Sequence, residues 1–219
     1  MPERLGQVRE RIAAAAGAAG RNVDSVTLLA VGKGQPVGAL RRAQALGVRD
    51  FGESYLQEAL PKMEALQDLA LAWHFIGQVQ GNKTREIAAQ FSWVHGIDRL
   101  RIAQRLSGHR PYHAPPLNVC IQVNFAGEAS KGGAAPADVP QLAAAVAALP
   151  RLRLRGLMCI PPAGRREGFA QARQLLATLN AGGMSLDTLS MGMSADLEAA
   201  ILEGATIVRI GTAIFGERT

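Results

Sequence analysis

The sequence predicts a parallel (β/α)8 barrel, and three observations point there. Short apolar runs alternate from end to end with segments whose apolar residues recur at three- and four-residue steps, and there are eight such runs. The length of 219 residues falls at the short end of the ~200 to 400 usual for this fold and leaves no room for a second domain. The turn after the first run, Gly32-Lys33-Gly34-Gln35-Pro36, lacks the Gly-x-Gly-x-x-Gly signature expected of an open doubly wound sheet, the alternative built from the same alternation.

The opening helix, residues 2–18, precedes the first strand and is placed to cover the seam that a final helix normally closes. Strands are expected at 26–31, 48–52, 73–77, 93–97, 117–123, 154–160, 186–191 and 207–210. The intervals carry helical periodicity at 36–46, 54–66, 82–91, 99–106, 136–149, 168–179 and 194–203. Two Ala-rich stretches, 13–19 and 143–148, are good helix formers, and no repeat longer than the βα unit is present.

Composition narrows the function classes. With 48% hydrophobic and 19% charged residues the chain is an ordinary globular protein. No run approaches the ~20 apolar residues of a membrane span, and Met1-Pro2-Glu3-Arg4 opens no signal core, so a cytoplasmic protein is expected. Cys120 and Cys159 lie in strand-like runs without a Cys or His at ligand spacing, which reads as two buried thiols rather than a disulfide or zinc site. The net charge of +6 comes from scattered arginines, densest at Arg151, Arg153 and Arg155, and without interleaved aromatics it reads as solvated surface, not a nucleic-acid interface. A Gly-x-x-x-x-Gly-Lys-Ser/Thr loop is missing, which disfavours a nucleoside triphosphatase.

Lysine is scarce: of 24 Lys+Arg residues only Lys33, Lys62, Lys83 and Lys131 are lysine. Lys33 follows the run Val26 to Val31, where a buried strand tip strips water from the ammonium and favours the nucleophilic neutral amine. It is a Schiff-base candidate. The alternative is a lysine that snorkels to solvent or pairs with a carboxylate. In a barrel, functional groups sit where strands end, and the loops after strands seven and eight commonly bind phosphate.

Those loops are Ser190-Met191-Gly192-Met193-Ser194, with Ser194 placed to cap the helix that follows, and Gly211-Thr212-Ala213-Ile214-Phe215-Gly216. Amides of Gly211 and Thr212, the Thr212 hydroxyl and the helix start at Ser194 would make an anion cup, opposite Lys33 around the ring. Taken singly each is a simple turn; together they describe a pocket for pyridoxal 5′-phosphate, aldehyde on the lysine and phosphate in the cup. Alternation along Ile207-Val208-Arg209-Ile210-Gly211 points Arg209 into the barrel mouth, where it either donates to the pyridine nitrogen or pairs with an inward carboxylate such as Glu53.

Val31-Gly32-Lys33, Phe51-Gly52-Glu53, Trp73-His74-Phe75-Ile76-Gly77, Gln80-Gly81-Asn82-Lys83, Arg153-Leu154-Arg155-Gly156-Leu157-Met158, the Ser190–Ser194 stretch and Arg209 to Gly216 together resemble the pyridoxal phosphate homeostasis proteins, the YggS/PROSC group. The likeness spans the chain. It implies one cofactor-binding barrel domain over 1–219, similar to the N-terminal domain of alanine racemase (fold type III), acting in vitamin B6 homeostasis without established turnover. By position it implies that Lys33 is the aldimine lysine, that Ser194, Gly211 and Thr212 hold the phosphate, and that Arg209 faces the ring nitrogen. Two positions depart: Gly32 replaces the usual serine and Ser54 the usual asparagine.

Racemisation needs a second acid/base, which alanine racemases take from a further β domain. This chain stops at Glu217-Arg218-Thr219, so a carrier is expected, with no catalytic residues; the alternative is a weak racemase or lyase using Tyr55 or His74. His74 otherwise reads as a hydrogen-bonded core histidine, and Tyr55 as packed at the start of its helix. Lys83 and Lys131 fall on the same rim as Lys33 and offer looser aldehyde or phosphate contacts during transfer. Expected partners are the cofactor and apo-enzymes that use it, with no nucleic acid or membrane, and the chain is expected to be a monomer.

Overall fold

Eight parallel strands close into a barrel in sequence order: β1 (Thr27–Val31), β2 (Asp50–Glu53), β3 (Ala72–Phe75), β4 (Trp93–Ile97), β5 (Leu117–Val123), β6 (Leu152–Cys159), β7 (Thr188–Ser190) and β8 (Ile207–Ile210). The computed structural model describes residues 1–127, 132–162 and 166–217. Closure is made by β8 on β1, with Leu29 opposite Arg209 and Ala30 opposite Ile210. Three strands, β4, β5 and β8, have the bounds the apolar runs predict. β6 starts two residues early, because its pairing with β5 extends back to Leu117 and Leu152 across a register shift at Val119 and Cys120. β7 is shorter than expected: beyond Ser190 the chain turns away, and Met191 N–H bonds Ile207 O instead.

The helices are α1 (Pro2–Ala18), α2 (Val37–Ala45), α3 (Leu56–Ala65), α4 (Thr84–Gln90), α5 (Leu100–His109), α6 (Val139–Ala147), α7 (Glu167–Ala181), α8 (Leu197–Leu202) and α9 (Thr212–Phe215). Helix α1 covers the seam as expected. It buries Leu5, Val8, Ile12, Ala15 and Ala16 and packs on α8 and α9. Arg11 ties it down, donating to Glu198 at 2.6 and 2.9 Å and to Ser194 O at 2.9 Å. The single turn α9 was not predicted; it follows Gly211 directly, and four residues are too few to show a period.

Between strands and helices the packing is apolar, with Phe51, Leu40, Ile87, Leu106 and Phe169 fully buried, each contributing about 1.5–3 kcal/mol. Cys120 and Cys159 are free buried thiols, as expected, and burial pushes both up to about 12. The barrel interior differs: Asp50, His74, His95, Ser190 and Arg209 form a continuous polar row inside it. Among the described residues no helix is long and apolar enough to cross a membrane, and no cluster of His, Cys, Asp and Glu could hold a metal ion.

Candidate functional site

The chain leaves β1 at Val31 and turns through Gly32, Lys33 and Gly34, the last at φ +69°, where glycine avoids the cost of a Cβ. Lys33 itself lies in that turn, past the end of β1, so strand alternation does not set the direction of its side chain. It is half-buried, at the C-terminal rim. Its Nζ donates to Tyr55 Oη at 3.3 Å and lies 4.6 Å from the Tyr55 ring centre. Tyr55 stands at the start of its helix, as expected, but it is not packed away there. It occupies the N-cap position of α3, is 52% exposed, and leans over the lysine.

The backbone on both sides of Lys33 is fastened. Lys62, buried on the stripe Leu56, Ala59, Lys62 and Leu66, donates to Gly32 O at 2.7 Å and to Glu53 Oε1 at 2.8 Å. Glu58 Oε2 accepts from Gly34 N–H at 2.9 Å and lies 3.8 Å from Lys62 Nζ. Glu53 is fully buried, its Oε2 has no hydrogen-bond partner among the described residues, and burial pushes its carboxyl up against the opposing pull of Lys62. A Cβ at Gly32 would stand 2.5 Å from Glu53 Oε1, so the glycine there matches the carboxylate's position. The sequence missed Lys62, although a lysine on an apolar stripe at helical spacing was a signal.

Arg209 is buried at the top of β8. It is not paired with Glu53, which faces out of the barrel toward α3 and Lys62. Its Nη1 donates to Ser190 O at 2.5 Å and Ser190 Oγ at 2.9 Å, and Nη2 to Cys159 O at 3.0 Å. These use three of its five N–H groups, leaving Nε–H and one on Nη2 without a partner among the described residues. Burial lowers its pKa, yet a guanidinium stays charged at neutral pH.

The loop after β7 turns at Gly192, φ +92°, where a Cβ would stand 2.5 Å from Ala200 Cβ; only glycine fits. Ser194 does not cap the helix following it. Helix α8 starts at Leu197 with Asp196 at the N-cap, and Ser194 Oγ instead accepts from Ala213 N–H at 3.3 Å, joining the two loops. The N–H groups of Ser194, Ala195, Gly211 and Thr212 make no hydrogen bond within the described residues. Thr212 is exposed and Gly211 half-buried.

Lys33, Ser194, Arg209, Gly211 and Thr212 thus share the C-terminal end of the barrel. The cup does not stand opposite the lysine, however. Closure brings β8 beside β1, and a Cβ at Gly211 would lie 3.5 Å from that of Val31. Lys83 lines a neighbouring rim cleft of about 370 Å³ with Tyr55, Gln78 and Gln80; Lys131 lies outside the described residues. His74 is the core histidine expected: buried, with both ring nitrogens engaged, by Asp50 and His95.

The alanine racemase N-terminal domain family matches residues 4–219. Over 99% of its length the chain is 62% identical to the pyridoxal phosphate homeostasis protein of Pseudomonas aeruginosa, covering 95% of that protein, and over 98% it is 52% identical to the Escherichia coli K12 protein of the same name, again covering 95%. PipY of Synechococcus elongatus, solved with pyridoxal phosphate bound, superposes with a TM-score of 0.87 at 37% identity, over 98% of this chain and 99% of PipY. An alanine racemase from Clostridium difficile shares the fold, with a TM-score of 0.76 at 14% identity, over 95% of this chain and 55% of the racemase.

Proposed function

From a chain that belongs to the pyridoxal phosphate homeostasis protein family, we propose binding of pyridoxal 5′-phosphate at the C-terminal rim, with Lys33 Nζ as the atom that bonds the aldehyde carbon. When bound, the cofactor supplies a reversibly captured aldehyde and an electron-withdrawing ring. The residues present fit such a group: an amine, a buried cation with two spare N–H donors, and four unengaged amides on two joined loops. The observation carrying this reading is that the lysine loop and the Gly211 amide end adjacent strands, with Arg209 two residues before Gly211 on β8 and its guanidinium buried inside the barrel against β6 and β7.

Lys33 would hold the aldehyde carbon through its amine nitrogen, with water released. Lys62 and Glu58 hold the backbone on either side of it, Glu53 anchors Lys62, and the Lys33 side chain makes one hydrogen bond among the described residues, to Tyr55. The amides of Gly211 and Thr212, with the Thr212 and Ser194 hydroxyls, take the phosphate; Ser194 Oγ accepts from Ala213 and so keeps its own proton to donate. Arg209, a donor only, keeps the ring nitrogen unprotonated and the ring a weak electron sink. This supports storage and delivery over turnover. In this reading residues 1–219 act as one domain, a monomer in the cytoplasm that passes the cofactor to apo-enzymes, with no nucleic acid or membrane involved.

The test is the visible absorption of the protein loaded with pyridoxal phosphate, then reduced with borohydride and digested. Wild type is expected to show a visible band and a reduced cofactor on the peptide carrying Lys33. Lys33→Ala should lose both while its unfolding free energy stays within about 0.5 kcal/mol, since the side chain is half-exposed. A full reducible band in that variant would overturn the assignment.

A second reading, weak racemase or lyase chemistry, is favoured by one contact: Tyr55 Oη, 3.3 Å from Lys33 Nζ, is placed to move a proton. His74 is not, with both ring nitrogens committed. Single-enantiomer amino acids in deuterated water separate the readings. Rapid α-proton exchange that Tyr55→Phe abolishes supports the enzyme.

A further inference from the structure

We propose that Asp50, His74, His95 and Ser190 form a relay of one-way hydrogen bonds through the barrel interior that positions the Arg209 guanidinium. The distances are 3.1 Å from Asp50 Oδ1 to His74 Nε2, 3.0 Å from His74 Nδ1 to His95 Nε2, 2.8 Å from His95 Nδ1 to Ser190 Oγ and 2.9 Å from Ser190 Oγ to Arg209 Nη1. Four strands that are not all neighbours, β2, β3, β4 and β7, are thereby linked to β8.

The order of protons follows by elimination. A carboxylate only accepts, so His74 Nε2 carries hydrogen. Two imidazolium rings cannot face each other N–H to N–H, and burial disfavours the charged form of both rings. His74 Nδ1 is then bare and accepts from His95 Nε2–H. His95 Nδ1 is bare in turn and accepts the Ser190 hydroxyl proton. Ser190 Oγ is left with lone pairs, which face the Arg209 Nη1–H. Every bond runs from the cation to the anion, and each donor polarises the next.

The His74 plane is fixed independently, by stacking on Trp93 at 5.4 Å and 5°, with Arg155 over the Trp93 ring at 4.8 Å. At the far end the Asp50 side chain is 30% exposed and opens on a cleft of about 540 Å³ beside Arg9 and Arg49. Arg209 is therefore a cofactor contact whose aim is set from the opposite end of the barrel. Asp50, His74, His95 and Ser190 are positioning residues. That last step rests on the cofactor reading above; the proton order does not.

Nitrogen-15 spectra of the histidine side chains in the apo-protein test the order directly, with both His74 and His95 expected as pure Nε2–H tautomers. Asp50→Leu removes the terminal acceptor and should give His95, two links away, a mixed tautomer signal. Ser190→Ala should shift the visible band of bound pyridoxal phosphate and weaken its binding about 5-fold or more, with Ser190→Thr restoring both. A His95 Nδ1–H tautomer, or a His95 signal unmoved by Asp50→Leu in a folded protein, would overturn the relay. An unchanged cofactor spectrum in Ser190→Ala would overturn the positioning role. If Arg209→Leu also leaves cofactor binding and spectrum untouched, it is the Arg209 contact in the cofactor reading that fails, while the tautomers still judge the relay.

Discussion

Lys33 and Arg209 end neighbouring strands of one barrel mouth, yet they are held in opposite ways. Lys33 has a fastened backbone and a loose tip, with one side-chain hydrogen bond at 3.3 Å. Arg209 has its tip fastened, by three hydrogen bonds to Ser190 and Cys159, and is 5% exposed. An atom that must form and release a covalent bond needs room to move, whereas an atom that recognises a ring nitrogen gains by standing still, since little rotamer freedom is left to lose on binding. In the proposed cofactor reading, one mouth thus supplies a loosely tethered nucleophile and a rigid donor, and the supporting residues are divided accordingly.

The contrast breaks most easily at Lys62. Lys62→Met leaves the Glu53 carboxylate buried without its cation, and unfolding free energy should fall by about 3–5 kcal/mol, with roughly a 10 °C drop in melting temperature. Lys62→Met combined with Glu53→Leu should recover most of the loss. Calorimetry showing no loss in the single variant would mean that the lysine loop is not held from below. On the other side, Arg209→Lys cannot span Ser190 and Cys159 with one ammonium, and the carbonyl left unsatisfied should cost about 1–3 kcal/mol in denaturant titration. An unchanged midpoint there would erase the claim of a fixed tip.

The smallest effect is one of pH. Burial holds Glu53 above the value it has in the unfolded chain, so the folded protein keeps a proton that the unfolded chain has released. The stability this contributes is fully present below the unfolded value of ~4.3 and is lost as pH rises through the folded one. Wild type compared with Glu53→Gln should therefore lose relative stability across the window starting near ~4.3 and rising through the folded value. A difference that stays flat over that window would show that Lys62 fully compensates the burial.

Much of this was legible in the chain. Counting apolar runs gave eight strands, a period of two aimed Arg209 inward, and a lysine closing an apolar run marked Lys33, because periodicity and strand-end placement are local properties. The paired clamp at Lys62, Glu53 and Glu58 was not read, although the stripe through Leu56 and Ala59 pointed at Lys62. The interior row was beyond reach: His74 and His95 meet only because β3 and β4 pair, and Ser190 reaches His95 across the pore.

The sequence alone determined the barrel, the inward arginine, the buried thiols and the lysine at the first strand's end. Tertiary structure decided that β8 closes beside β1, so that the cup is the lysine's neighbour, that Ser194 accepts from Ala213 and joins the two loops, and that Glu53 belongs to Lys62 and not to Arg209. The physical reason is that strand order, closure and side-chain partnership depend on contacts between residues far apart in the chain. A local pattern fixes which way a side chain points but not what it meets there.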